Sequence, residues 1–140
     1  MKIKKIFCFV AVISIICILF GCGFDKSHFI ITDCKTNEVV VKFSSKEYVD
    51  ETIVLTNALN NRETFSGEIN PSKKYSIHYV DPKNSHYDVW YYVYIENDNL
   101  YIQMDTDRMK GIEDNTVKKC TSMTVDEFIS ILKTGDDSMS

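Results

Sequence analysis

The segment YDVWYYVYIENDNLYIQM, residues 87–104, contains two strand-forming runs, residues 87–95 and 100–104, around the polar residues 96–99. Aromatic and β-branched residues are enriched in strands, and a short turn rich in Asn and Asp between two such runs is the signature of a β-hairpin. The segment therefore predicts two adjacent antiparallel strands. An antiparallel sheet is the framework on which the rest of the chain can be placed.

Toward the N-terminus the same kind of pattern recurs. Residues 29–32 and 39–43 are β-rich and flank a polar turn at residues 33–37, which predicts a second hairpin. Residues 74–80 alternate apolar and polar side chains, as a half-buried strand does. Residues 62–72 are polar and predict a loop, in which a short strand at residues 63–67 is left as an alternative, and residues 117–120 form the optional last strand.

Two segments have helix signals. Ser44 and Glu47 have the spacing of a capping box and precede apolar residues at helical spacing, which predicts a helix over about residues 45–60. Thr124 and Glu127 repeat the signature and open a second helix, which we expect Gly135 to end. The predicted fold is α+β: an antiparallel sheet of about five to six strands with two helices on one face, in the order β-β-α-β-β-β-(β)-α.

The N-terminus has the pattern of an export signal. Lys2, Lys4 and Lys5 precede an uncharged run at residues 6–20, and the segment contains no acidic residue. This run of 15 residues is shorter than the roughly 20 that a membrane-spanning helix needs. A signal peptide is therefore favoured over a permanent N-terminal anchor.

The end of this segment, Leu19-Phe20-Gly21-Cys22, resembles the lipobox of bacterial lipoproteins, although Phe20 stands where a small residue is usual. The resemblance implies that residues 1–21 are a lipoprotein signal peptide, that Cys22 receives diacylglycerol on its sulfur, and that the protein lies on the extracytoplasmic face of the plasma membrane. An ordinary signal peptide is the alternative. Residues 22–27 would form a short tether, residues 28–135 a single domain and residues 136–140 a flexible tail. The whole arrangement resembles the small, mostly uncharacterised α+β lipoproteins of Gram-positive bacteria.

Charge and cysteine content bear on partners. The first 21 residues contain three lysines and no acid, so the remaining chain holds 13 Lys and Arg against 20 Asp and Glu, a formal charge of −7. This argues against nucleic acid as a partner and is compatible with a protein or a cationic peptide. Cys34 and Cys120 could form a disulfide in an exported protein, or remain two separate thiols.

The candidate binding residues lie in the first hairpin strand. Trp90, Tyr92 and Tyr94 alternate along it and share one face, where exposed aromatic rings could stack on a sugar or anchor a protein. The competing interpretation is cross-strand packing beside Tyr101.

No catalytic residue, metal site or cofactor site is predicted. Known nucleophile, phosphate-loop and dinucleotide motifs do not occur. His28, His78 and His86 are scattered, with only Asp88 as a nearby carboxylate for His86. Residues 105–116 have a superficial likeness to a calcium loop, but Lys110 stands where that loop needs glycine.

These observations lead us to expect a non-enzymatic, membrane-proximal binding module, attached to the membrane through its lipid. Two alternatives remain open: a small cell-envelope hydrolase, and an inhibitor or immunity lipoprotein that intercepts a cationic toxin.

Overall fold

In a computed structural model the chain is described for residues 27–80 and 88–138. These contain seven strands and two helices: β1 (His28–Asp33), β2 (Val39–Ser44), α1 (Val49–Asn60), β3 (Arg62–Glu63), β4 (Lys73–Val80), β5 (Asp88–Glu96), β6 (Asn99–Met104), β7 (Lys118–Cys120) and α2 (Val125–Ser138). Neither of these helices is long and apolar enough to cross a membrane. The predicted signal peptide, Cys22 and most of the predicted tether lie outside the described residues.

All seven strands form one antiparallel sheet, in the order β2-β1-β4-β5-β6-β7-β3. The hairpin of β5 and β6 is confirmed, with Glu96 paired to Asn99 across a turn in which Asn97 has φ 53°. A left-handed residue at this position suits a two-residue hairpin turn, and Asn tolerates it better than most residues. The α+β class and the antiparallel sheet are thus as predicted.

The topology places both helices on the same face of the sheet. The chain leaves β2 at one edge and next forms β3 at the opposite edge, so α1 has to cross the sheet between them. After β7, near that far edge, α2 returns and contacts β2. Buried residues of both helices, such as Leu55 and Phe128, join one core cluster with Ile31, Ile77 and Ile102 of the strands.

The structure differs from the predicted order by one strand. β3 consists of only two residues, and it forms because Arg62 and Glu63 pair with Cys120 and Lys119 of β7. Seven strands are present among the described residues, instead of the five to six expected. Two residues have no readable periodicity, so only the long-range pairing defines this strand.

The helix boundaries also differ. α1 begins at Val49, and its N-cap residue is Tyr48, which makes no side-chain capping hydrogen bond. The expected capping box of Ser44 and Glu47 is therefore not formed. α2 begins as predicted, but it continues through Gly135 to Ser138, so the helix includes part of the expected flexible tail. A glycine inside a helix costs only about 1 kcal/mol relative to alanine, so Gly135 does not end α2.

Candidate functional site

The face of the sheet opposite the helices carries the candidate site, which we call the open face. Strand alternation directs one set of side chains from β4, β5 and β6 away from the core, and each of these side chains is half-buried or exposed. The set consists of Lys74, Ser76, His78, Trp90, Tyr92, Tyr94, Tyr101 and Gln103. The three predicted residues Trp90, Tyr92 and Tyr94 therefore do lie side by side on one face.

Trp90 is the centre of a stacked group. His78 is its register partner on β4, and the two rings stack with centroids 3.6 Å apart and an angle of 11°. The guanidinium of Arg108 lies over the Trp90 ring at 4.4 Å. Asp88 hydrogen-bonds His78 Nε2, and Asp105 Oδ2 lies 3.3 Å from Arg108 Nε. We call these five residues the Trp90 stack.

The Trp90 stack combines two carboxylates, one guanidinium and two aromatic rings. Asp105 is buried, with an exposure of only 7%, and its backbone N–H donates to the carbonyl of Trp90. A buried carboxylate is stable when it is paired, and here Arg108 supplies the opposite charge. The contact between Arg108 and Trp90 is a cation–π interaction, so the carboxylate and the ring together hold the guanidinium in place.

The two tyrosines form a second group. Lys74 Nζ lies 4.0 Å from the centre of the Tyr92 ring and 5.5 Å from that of Tyr94. The Tyr94 hydroxyl donates to Gln103 Oε1 at 2.6 Å. Burial raises the pKa of both phenols, and hydrogen bonding to Asp105 adds to the rise in the pKa of Tyr92. Both tyrosines are therefore neutral hydrogen-bonding groups around neutral pH.

The segment after β6 is docked onto this face. Within residues 106–115, Met109 is buried and its sulfur accepts a hydrogen bond from the Trp90 backbone N–H at 3.2 Å. Gln103 Nε2 donates to the carbonyl of Asn115 at 2.9 Å. The segment thus supplies Arg108 to the site, a residue that its charged and aperiodic sequence did not single out.

His78 was also missed by the sequence analysis. In the sequence Asp88 is the carboxylate near His86, which lies outside the described residues. In the structure Asp88 hydrogen-bonds His78. Ten residues separate His78 from Asp88, and only the β4–β5 register brings them together. The aromatic density of β5 was the one signal in the sequence that pointed to this region.

Cys34 and Cys120 are free thiols. Cys34 follows β1 and donates its backbone N–H to Lys74 of the neighbouring β4, whereas Cys120 is in β7, four strands from β1 in the sheet. At about 4.8 Å per strand the separation is about 19 Å, well beyond the roughly 4.4–6.8 Å that a disulfide allows between Cα atoms. The bridge that the sequence left open is therefore not formed. Burial raises the pKa of the Cys34 thiol, with the Lys74 charge acting in the opposite direction.

A shallow recess adjoins the open face. It has a volume of about 520 Å³, and it lies between the β1–β2 turn and the start of β4, where Lys35, Lys73 and Lys74 line it together with Asp33. Lys74 belongs to both the recess and the open face. Lys35 thus lies near the sequence neighbours Lys73 and Lys74, and the three lysines make a basic corner on an acidic protein.

The arrangement is suited to binding. Aromatic rings, three lysines and Arg108 offer flat apolar area and positive charge, which can contact carboxylates and planar groups of another molecule. Ser76 shares the face with His78, but no hydrogen bond joins the two within the described part of the chain, so these residues lack the nucleophile and base contact of an acyl-transfer site. Likewise, no three metal-ligating side chains converge among residues 27–80 and 88–138.

The chain matches no known protein family, no curated protein and no solved structure in the comparisons made.

Proposed function

We propose that this protein is a lipoprotein held at the extracytoplasmic face of the plasma membrane through Cys22, and that it is a non-enzymatic binding module. Its open face contacts a membrane-proximal protein partner. The observation that carries the proposal is that a row of aromatic residues with positive groups over their rings lies on the sheet face that neither helix covers. Aromatic residues and arginine are the residues most enriched at binding hot spots.

The sequence supports the anchored location. The lipobox-like residues 19–22 follow a signal-like segment, and only a few residues separate Cys22 from β1. An extended chain covers about 3.5 Å per residue, so the tether reaches roughly 20 Å. A domain on such a tether meets partners that are embedded in the membrane or lie next to it.

The charge distribution suggests what the partner offers. The chain after residue 21 is acidic overall, but Lys35, Lys73 and Lys74 concentrate positive charge in the recess beside the open face, and Arg108 adds a positive charge over Trp90. We therefore expect the contacting surface of the partner to supply carboxylates beside flat apolar groups. A cationic toxin would instead have to bind the acidic surfaces elsewhere, so a binding site for it on the open face is disfavoured.

Partner capture in membranes tests the proposal. The full chain is produced in its host as wild type and as Cys22→Ala, Lys74→Glu and Lys133→Glu variants, and proteins bound to it are recovered after brief crosslinking. Lys74 and Lys133 are both exposed, so neither reversal disturbs the core, and Lys133 on α2 is the matched control.

We expect Lys74→Glu to reduce recovery of the partner by about tenfold, a size typical of one lost charge contact, while Lys133→Glu leaves it unchanged. Cys22→Ala should abolish both membrane retention and capture. Equal recovery with Lys74→Glu and Lys133→Glu would exclude the open face, and mass spectrometry showing no diacylglycerol on Cys22 would refute the anchor.

A further inference from the structure

A cavity of about 440 Å³ lies on the helix-covered side of the sheet, beneath the C-terminal half of α1. We call it the α1 cavity. Its apolar wall is formed by Phe29, Leu59, Tyr79, Val89 and Met104, and Arg62 is its charged member. This size and lining are typical of small-molecule sites, which occupy about 300–1,000 Å³ and combine an apolar wall with few polar groups.

Arg62 lines the cavity because of the register in which β3 pairs with β7. It pairs with Cys120, whose side chain is buried in the core on the helix side, so Arg62 is on that same side of the sheet. No ion pair or hydrogen bond of its guanidinium is formed with any residue in the described ranges. A guanidinium that lines an apolar cavity without a protein carboxylate is suited to an anionic ligand.

A second feature lies behind the cavity wall. Tyr91 is the register partner of Met104, which lines the cavity. The side chain of Tyr91 is buried, with 1% exposure, and its hydroxyl has no hydrogen-bond partner among the described residues. Burial raises the pKa of Tyr91, and the charge of Arg62 acts in the opposite direction. A buried hydroxyl without a partner is unfavourable, so a polar group brought near it is stabilising.

We propose that the α1 cavity binds a single-chain carboxylate amphiphile of the fatty-acid class, with the alkyl chain against the apolar wall and the carboxylate at Arg62. A carboxylate accepts two parallel hydrogen bonds from a guanidinium. The alkyl chain gains free energy by leaving water for the apolar wall.

The location of the cavity is consistent with a ligand drawn from the membrane, and this step rests on the proposed anchor. Phe29, Tyr79 and Val89 are register neighbours on β1, β4 and β5, at the end of the sheet where the chain enters β1. Seven residue steps separate Phe29 from Cys22, which limits this end to about 25 Å from the lipid attachment site.

Photolabelling in membranes tests the inference with the full chain. The probes are a dodecanoate and a dodecanol that carry the same photoreactive diazirine and alkyne, so that they differ only in the head group. The variants are Arg62→Gln and its matched control Lys133→Gln, which removes one positive charge from the exposed surface of α2, outside both the cavity lining and the open face. Thr56→Trp is a third variant, because Thr56 lines the cavity and is exposed, so that a larger side chain can block the entrance without disturbing the core.

We expect the dodecanoate probe to label peptides containing Leu59 or Met104, and to label Arg62→Gln about tenfold less than wild type. Lys133→Gln should label as wild type does, and Thr56→Trp should not label at these peptides. Thermal unfolding of each variant establishes that it is folded. Equal labelling by dodecanoate and dodecanol, equal labelling of Arg62→Gln and Lys133→Gln, or labelling confined to other surfaces would each overturn the assignment.

The result is separable from that of the capture experiment. If the chain is found in the medium without lipid, the same probes are applied to the secreted chain, and labelling there supports the cavity while the anchor fails. If the partner is captured through the open face but the cavity is not labelled, the proposed function stands and this inference is wrong.

Discussion

The two helices begin after the same sequence signature and behave differently. At α2 the Thr124 hydroxyl accepts a hydrogen bond from the Glu127 backbone N–H at 3.2 Å, and the Glu127 carboxylate accepts one from the Thr124 N–H at 2.7 Å, so the capping box is complete. At α1 the corresponding residues, Ser44 and Glu47, make no such exchange. The identical spacing therefore has two outcomes.

The difference lies in what precedes each helix. Ser44 is the last residue of β2, paired with His28, and its hydroxyl accepts a hydrogen bond from the Lys46 N–H, which closes a turn. A residue held in a strand ladder cannot also take the position of a helix cap. Thr124 follows a bend and has no ladder partner among the described strands.

The two helices also differ in how tightly they pack, and α2 is the more tightly packed at the contact compared here. Phe128 of α2 is completely buried and meets the ring of Tyr75 edge-on at 5.4 Å. In α1, Leu55 and Ala58 are buried, but Val49 and Ile53 are about half exposed and the α1 cavity lies beneath the end of the helix. The C-terminal half of α1 thus leaves space between the helix and the sheet, whereas Phe128 of α2 is packed without exposure.

The largest expected effect compares one apolar contact of each helix. Phe128→Ala should lower the free energy of unfolding by about 3–5 kcal/mol, because it leaves a void in a close-packed region. Leu59→Ala should lower it by only about 1–2 kcal/mol, because Leu59 is half-buried beside space that already exists. Urea unfolding with a common m-value measures both. Equal losses would mean that the α1 side is as tightly packed as the α2 side.

A smaller effect is expected at Tyr91. Tyr91→Phe should stabilise the ligand-free protein by about 1 kcal/mol, since it removes a buried hydroxyl that has no partner. Burial raises the pKa of Tyr91 above its ordinary value of about 10, so the contribution of its neutral form is complete below pH 10 and is lost as pH rises further.

Above pH 10 the wild type should therefore lose stability more steeply than Tyr91→Phe, by up to about 1.4 kcal/mol per pH unit. Urea unfolding between pH 9 and 11 measures the two slopes, with the pH range set by the ordinary tyrosine pKa of about 10. Parallel slopes would show that Tyr91 ionises as readily in the folded protein as in the unfolded chain.

The smallest effect tests the two capping sequences directly. Thr124→Ala should cost about 1 kcal/mol through loss of the cap, whereas Ser44→Ala should cost less than about 0.5 kcal/mol. Thermal unfolding of both variants, together with Glu127→Ala and Glu47→Ala, shows whether each pair is coupled. Coupling between Ser44 and Glu47 as large as that between Thr124 and Glu127 would contradict the structural difference.

Much of the fold could be predicted because its signals are local. Alternation identified β4 and β5, the Asn-rich turn identified the hairpin of β5 and β6, and the Thr124 capping box identified the start of α2. β3 could not be predicted beyond the alternative of a short strand at residues 63–67, because two residues carry no period and their strand exists through β7 alone.

The features of the open face also divide into those that could be predicted from the sequence and those that could not. Trp90, Tyr92 and Tyr94 share a face because strand periodicity is two, and this is readable from the sequence. Their contacts with His78, Arg108 and Lys74 are not readable, because they depend on the register between strands and on a segment that folds back over the sheet.

The sequence by itself determined the antiparallel hairpins, the two helices, the aromatic row on β5 and the lipobox-like Cys22, because each is encoded within about a dozen neighbouring residues. Only the tertiary structure decided that the Cys34 and Cys120 thiols stay apart, that Arg62 lines a cavity under α1, and that charged groups cover the rings of the open face. Those features arise where α1 crosses the sheet and where strands far apart in the chain are brought into register, and neither event leaves a local pattern in the sequence.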